Sequence, residues 1–468
     1  MEKKMSRKEN IINNTIAYTL GNLGSKILAY VMVLVYTFYI NTSDLGYYDV
    51  ILSSISLLQP IALLMLDDGI YRWLIDGNNE TRKIIISTCL KIVNIITCGI
   101  IIIWIIINIK FKLPYFFLVA IYFYSCMIYQ IVLSIVRGLG NSKLYATSGL
   151  FNSFILLLCE IVGIVVYNQG IKALFISNII ANFLTIISIC VIQSEFKLSI
   201  RYSIDKSLAF DILKYSIPII PNNLCWWIVN SSDRYIILFF LGTTYNGIYS
   251  ISNKFPTVIS TVTSIFYLSI QETIIKEYNS EDRDLFYTNI FKKYYRMLFG
   301  MVLCGIPITR IVIQFLVSSE YENAWYFTGI LYIATVFSAL SSFLGIGYQI
   351  AKETRRSINS TVFAAILNIV VNVTLIRYWG LYAASISTLV SYIFLFLIRI
   401  KHSKKYFCLF VDWKDFIFQF MICVIMVIYT YFTNRIVWLF GIFLGCLIYF
   451  IYLNKDIIYI FIKKIRRG

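Results

Sequence analysis

Several charged side chains sit inside long apolar runs of this chain, and their chemistry needs a reason. Lys26, Arg234, Lys254 and Arg310 lie within such runs, and Arg72 stands at the end of one. A charge at the centre of a membrane helix costs ~2.5–3.5 kcal/mol on insertion scales. Together these five bases can form a cationic path across a bilayer, suited to an anionic solute and to phosphate above all. Ion pairing between helices, or snorkelling near helix ends, is the competing account. Asp67, Asp68, Glu160, Asp233 and Glu272 are the acidic counterparts. Asp233 and Arg234 are neighbours in sequence, so a helix is expected to point them apart.

A second cluster of chemistry-bearing residues opens at Ser216 with Ile-Pro-Ile-Ile-Pro-Asn-Asn. Pro218 and Pro221 remove backbone donors, which predicts a bent or broken first turn. Asn222 and Asn223 can satisfy the freed groups or a ligand. Trp226 and Trp227 follow; they can stack on sugars, although packing or an interfacial belt is the better expectation.

The elements that must position these residues are membrane helices. The chain is 59% hydrophobic and only 14% charged, which excludes a soluble enzyme. Apolar runs recur from residue 16 to 453 and predict about fourteen transmembrane helices, with single runs at 46–74 and 216–241. The loops alternate in basic content: 31 of the 41 Lys and Arg fall on one face, five on the other and five within spans. Both termini are therefore expected in the cytoplasm. The net charge of +17 is then mostly topology rather than a nucleic-acid footprint.

The chain also resembles itself. Phe38–Tyr48 aligns with Phe239–Tyr249, with Phe, Thr, Gly and Tyr identical at 38/239, 42/243, 46/247 and 48/249. Gly170-Ile-Lys-Ala similarly aligns with Gly380-Leu-Tyr-Ala. The matches fall six spans apart, so the repeats are parallel, with a pseudo-twofold along the membrane normal and a path between halves. The expected organisation is a six-helix lobe over 1–195, a cytoplasmic linker at 196–214 and a second six-helix lobe over 215–400. Two extra helices and a basic tail occupy 401–468.

Enzymatic motifs are missing. Gly138-Leu-Gly-Asn-Ser-Lys143 has the wrong spacing for a phosphate loop, and there is no HExxH or GxSxG. External loops are too short for a catalytic domain, which disfavours a polymer synthase. No cleavable signal is visible. The ten cysteines are scattered and read as small buried apolar residues, and His402 as a solvated loop residue.

These residues carry a family resemblance. The chain resembles oligosaccharide repeat-unit flippases of the Wzx type, within the multidrug/oligosaccharidyl-lipid/polysaccharide exporter superfamily. The resemblance covers roughly residues 10–410. Its pieces are Leu45-Gly-Tyr-Tyr48, Asp67-Asp-Gly-Ile-Tyr-Arg72, Tyr215–Asn222, Ser232-Asp-Arg234 and Gly247-Ile-Tyr-Ser250, then Gln271-Glu272, Ala324-Trp325, Ala351–Thr354 and Gly380–Ala384. One departure is Ser269-Ile270, where the family often has Trp before Gln-Glu.

The resemblance implies transport of polyprenyl-diphosphate-linked oligosaccharides from the inner to the outer leaflet of a bacterial cytoplasmic membrane, for capsule or O-antigen assembly. It implies an all-α polytopic fold of two six-helix lobes around a cationic cavity, no cofactor, and membrane lipid and polysaccharide polymerase among the partners. Asp67, Asp68 and Glu272, at corresponding places in the halves, are candidates for ion coupling. A multidrug antiporter of the same superfamily and a scaffold of a glycan-assembly complex are the alternatives.

Overall fold

The computed structural model describes residues 24, 28, 30–76, 78–199, 202–278, 280–351, 353–433 and 435–455. Helices dominate among them, and no strand occurs. After a helical stretch over 30–36 come α1 (Thr42–Ala62), α2 (Leu66–Asp76), α3 (Asn79–Phe111) and α4 (Phe116–Gly138). Next are α5 (Ser142–Glu160), α6 (Ile171–Ile192), α7 (Ser194–Ser199), α8 (Lys206–Ser216) and α9 (Ile220–Phe240). The chain continues through α10 (Thr243–Lys276), α11 (Arg283–Leu316), α12 (Trp325–Ile350) and α13 (Thr354–Trp379). It ends in α14 (Leu381–Ser403), α15 (Trp413–Phe432) and α16 (Ile436–Leu453).

Ten of these helical segments, among the described residues, are long and apolar enough to cross a membrane. α1, α9 and α10 are as long but more polar: α9 alone carries Asn222, Asn223, Asn230, Asp233 and Arg234. Half of the predicted run at 16–39, including all of 16–23, lies outside the described residues.

Two predicted single spans are interrupted. The run at 46–74 divides at a turn in which Leu64 and Met65 adopt positive φ. Pro60 lacks the amide that would bind the preceding turn, and Asp67 and Asp68 favour a new helix start at α2 through their charge at its N-terminus. The run at 216–241 opens with a 3-10 turn, Ile217–Ile219, as its two prolines predict. Elsewhere, side-chain caps set the starts: Asn78 accepts from the Thr81 amide, and Asp205 from those of Ser207 and Leu208.

The chain divides into two compact units. One is built from Val50–Leu224 with the described part of Met1–Ile40; the other takes Asn41–Asp49 and the chain from Cys225 onward. The boundaries thus fall inside α1 and α9. In the first unit, α6 packs on α4 and α5, where Gly163 admits Ala173. The predicted linker is itself helical: α8 lies against α2, and Lys91 and Ser87 of α3 both bind the Tyr202 carbonyl.

In the second unit, a core rich in aromatic rings joins α11, α12, α14 and α15 through Phe299, Phe337, Phe396 and Phe416. The two appended helices are tied to α11. Lys292 pairs with Asp412 at 2.9 Å and Arg296 with Asp415 at 2.8 Å. His402 is not a free loop residue: it ends α14, half-buried, its Nδ1 2.9 Å from the Tyr348 hydroxyl.

The repeat seen in the sequence has a backbone counterpart. Gly170 and Gly380 both cap their helices at φ 54° and ψ −133°, a conformation open to glycine and closed to L side chains.

Candidate functional site

The first turns of α1 lie in the second unit against α10, and glycine makes that possible. A Cβ on Gly46 would stand 1.9 Å from the Thr243 carbonyl oxygen, and one on Gly247 1.9 Å from that of Thr42. Ser43 and Thr243 hydroxyls meet at 2.8 Å, and the Asn246 amide donates to the Gly46 carbonyl at 2.8 Å. The crossing is reciprocal between residues that the internal alignment equates.

This close approach sets a buried polar cluster one turn further along. Arg234 of α9 donates from Nε to Asp49 at 3.3 Å and from Nη1 to Asp233 at 2.8 Å. Tyr249 donates its hydroxyl to the other Asp233 oxygen at 2.6 Å, and Ser250 to Asp49 at 3.1 Å. Nη1 also reaches the Asn230 carbonyl at 2.6 Å. Asp233 is 3% exposed and Asp49 8%. Two carboxylates around one guanidinium give the cluster a formal charge of −1.

The expected separation of Asp233 and Arg234 is therefore corrected. The long arginine side chain folds back onto its neighbour, which a rule for short rigid pairs does not anticipate. Asp49 is the partner that sequence reasoning missed. The signal was there, since Asp49 directly follows the repeated Gly-Tyr-Tyr segment and aligns with Ser250.

Arg310 is placed elsewhere. Arg310 of α11 is buried; its Nη1 donates to the Thr430 carbonyl, its Nε has no partner, and its guanidinium lies 4.1 Å from the Trp325 ring centre. Lys254 is half-buried on α10. Lys26 lies outside the described residues, as do the side chains of Arg72 on α2 and Glu272 on α10. Asp67 is half-buried with one carboxylate oxygen enclosed and unpartnered, whereas Asp68 is exposed. The two aspartates thus occupy different environments.

Asn222 likewise has a buried, unpartnered side-chain oxygen, while the Asn223 side-chain amide donates to the Ile219 carbonyl at 3.4 Å. Trp227 packs edge-on against Tyr235. Trp226 lies 5.5 Å from the guanidinium of Arg399, a buried cation that the sequence placed at the cytoplasmic interface. Among the described residues, the hydrogen-bond partners of Arg399 are neutral: the Ser341 carbonyl at 2.8 Å, Thr361 at 3.0 Å and Ser360 at 3.3 Å. Its proximity in sequence to Lys401 hid it.

Also within the second unit, an apolar groove of about 370 Å³ runs between α10, α11 and α16. Phe255 and Val262, Cys304 and Ile308, and Phe443 and Leu447 supply its walls. Its polar landmark is the 2.8 Å contact between Thr309 and Tyr332 hydroxyls.

Comparison with solved structures places this arrangement in one class. The lipid II flippase MurJ in an inward closed conformation superposes with a TM-score of 0.69 at 16% identity, covering 96% of this chain and all of that one. An inward-facing multidrug resistance MATE family transporter of the MOP superfamily gives 0.61 at 14% identity over 87% and 97% of the two chains. A MOP superfamily transporter from Pyrococcus furiosus gives 0.58 at 11% over 84% and 95%. The chain shares the fold of these structures.

The profile of the polysaccharide biosynthesis protein family matches residues 11–269, and the chain belongs to that family. An uncharacterized membrane protein of Methanocaldococcus jannaschii is 24% identical over 190 residues, 41% of this chain and 45% of that protein. The match thus spans less than half the length of that relative.

Proposed function

We propose that the chain is a flippase that moves polyprenyl-diphosphate-linked oligosaccharide units from the inner to the outer leaflet of the cytoplasmic membrane, by alternating access through a central cavity. The observation that carries this reading is the apolar groove along α10, a helix that also bears buried polar groups and the half-buried Lys254. A prenyl tail needs a continuous apolar surface, and a diphosphate needs cations held away from water. The groove suits the first and Lys254, with Lys26 and Arg72, the second. Arg234 joins them when the Asp49–Asp233 cluster opens; while closed, its charge is already neutralised. Arg310, Asn222, Asn223, Trp226 and Trp227 border the path, and Asp67, Asp68 and Glu272 couple it to an ion gradient. Capsule or O-antigen assembly, with a polymerase as partner, is the cellular setting.

Deletion of the chain, followed by a leaflet-resolved assay of lipid-linked oligosaccharide, tests this. Accumulation on the cytoplasmic side is the expected result. Accumulation of unpolymerised units outside would overturn it.

A further inference from the structure

We infer that the end of the first unit formed by the α3–α4 and α5–α6 connections is a binding surface for the headgroups of anionic phospholipids of the outer leaflet. The leaflet assignment rests on the topology that the proposed function uses. Lys110 and Lys112 lie on the first connection and Lys172 opens α6 after the second; all three are exposed. Loop charge selects against bases on this side of a membrane, yet three of the chain's five external bases gather here. Neither connection, 106–120 or 165–175, contains a carboxylate, and the three lysines form no ion pair among the described residues. No acidic side chain of these connections competes with an anion supplied from outside the chain.

The local geometry is built rather than incidental. Asn108 ends α3 by accepting the Lys112 amide on its carbonyl and the Leu113 amide on its side chain, at 2.9 and 2.7 Å. That turn drives Lys112 to φ 47° and Tyr115 to φ 56°, a left-handed conformation costly for both. The result is an open depression of about 440 Å³ lined by Asn108, Lys112, Tyr115 and Phe117. Lys172 stands 6.0 Å from the Tyr115 ring centre, so the two connections approach each other beside the depression.

The occupant follows from what flanks the lysines. Phe111 and Phe117 are 65% and 75% exposed, and Leu113 is also exposed beside them. Such side chains belong in the acyl boundary, with the ammonium groups at phosphate level. A soluble acidic glycan would leave them in water.

The test is a titration of the purified full-length chain in micelles with short-chain phosphatidylglycerol, against phosphatidylcholine as control. Phosphatidylglycerol should bind in preference, and K110Q/K112Q/K172Q should weaken that binding about a hundred-fold. Arginine at the same three positions should restore it. Glutamine at Lys143, Lys206 and Lys214 should leave it unchanged. If the first triple variant does not fold, K112Q alone should weaken binding several-fold.

Equal binding by the glutamine variant, or displacement of the lipid by a soluble acidic oligosaccharide, overturns the inference. So does labelling of a K112C variant by an impermeant reagent only from the cytoplasmic side. No step of this test uses transport. A wild-type chain that binds the lipid yet moves no oligosaccharide would refute the flippase reading alone.

Discussion

Arg234 is held in a buried ion-paired cluster and also belongs to the path proposed above. Removing one member of a buried ion pair leaves its partner charged without compensation, which costs roughly 3–5 kcal/mol. Arg234→Gln should therefore lower the thermal midpoint of the purified protein markedly, and Asp49→Asn less, since Asp233 would still hold the guanidinium. The combined D49N/R234Q variant should fall short of the sum of the two, because both act on one network. Additive losses would show that Asp49 does not hold Arg234.

Outside the spans, Glu353 offers a pH-dependent counterpart. Its carboxylate is bound by Lys405, by the Tyr406 hydroxyl at 2.7 Å and by Arg356 at 3.1 Å. Hydrogen bonding to Lys405 and Tyr406 holds it below the usual carboxylate range. A depressed carboxyl stabilises the fold above its unfolded value and loses that contribution as pH falls through the folded one. Amide protection factors where α12 and α14 end and α13 begins should fall on acidification in the wild type, once the intrinsic pH dependence of exchange is divided out. In Glu353→Gln the protection factors should be low throughout and lose this pH dependence.

At the scale of elements, the crossing of α1 with α10 depends on two missing side chains. Gly46→Val or Gly247→Val places carbon where a backbone oxygen already sits, so the helices must separate and the folded yield should collapse. Gly99→Val, on the open side of α3, should express normally and serves as the control.

Much of this architecture was legible beforehand. The repeat equated Thr42 with Thr243 and Gly46 with Gly247, the residues that meet at the crossing, and Pro218 with Pro221 announced the 3-10 turn. What escaped was tertiary. Nothing local in Ser341, Ser360 or Thr361 says that they converge on Arg399, and hydropathy cannot see that Leu64 and Met65 reverse a continuous apolar run. Charge partners separated by nearly two hundred residues, such as Asp49 and Arg234, become visible only once the helices are packed.

For the whole molecule, the division of basic residues between address and function sets the decisive experiment. Neutralising Lys26, Arg234 and Lys254 together should abolish surface polysaccharide while protein still reaches the membrane; normal output would remove the cationic path. Glu272→Gln should blunt the response of transport to an imposed proton gradient, and an unchanged response would take Glu272 out of the coupling. Both readouts need the intact chain in a sealed bilayer, because they report on movement between leaflets rather than on binding.

The inclusion of residues 41–49 in the second unit has a consequence for biosynthesis. Asp49 leaves the ribosome about two hundred residues before Ser250, and Arg234 comes only slightly sooner. At the usual 5–20 residues per second, the carboxylate waits about 10–40 s for its partners. During that interval the start of α1 has nothing of its own to bind, and a nascent chain stalled before residue 234 would keep an unpaired acid at the membrane. A fragment beginning at Cys225 would face the reverse problem, with Arg234, Asn246 and Ser250 deprived of the segment they grip. The second unit is thus not separable as a translation product beginning at Cys225.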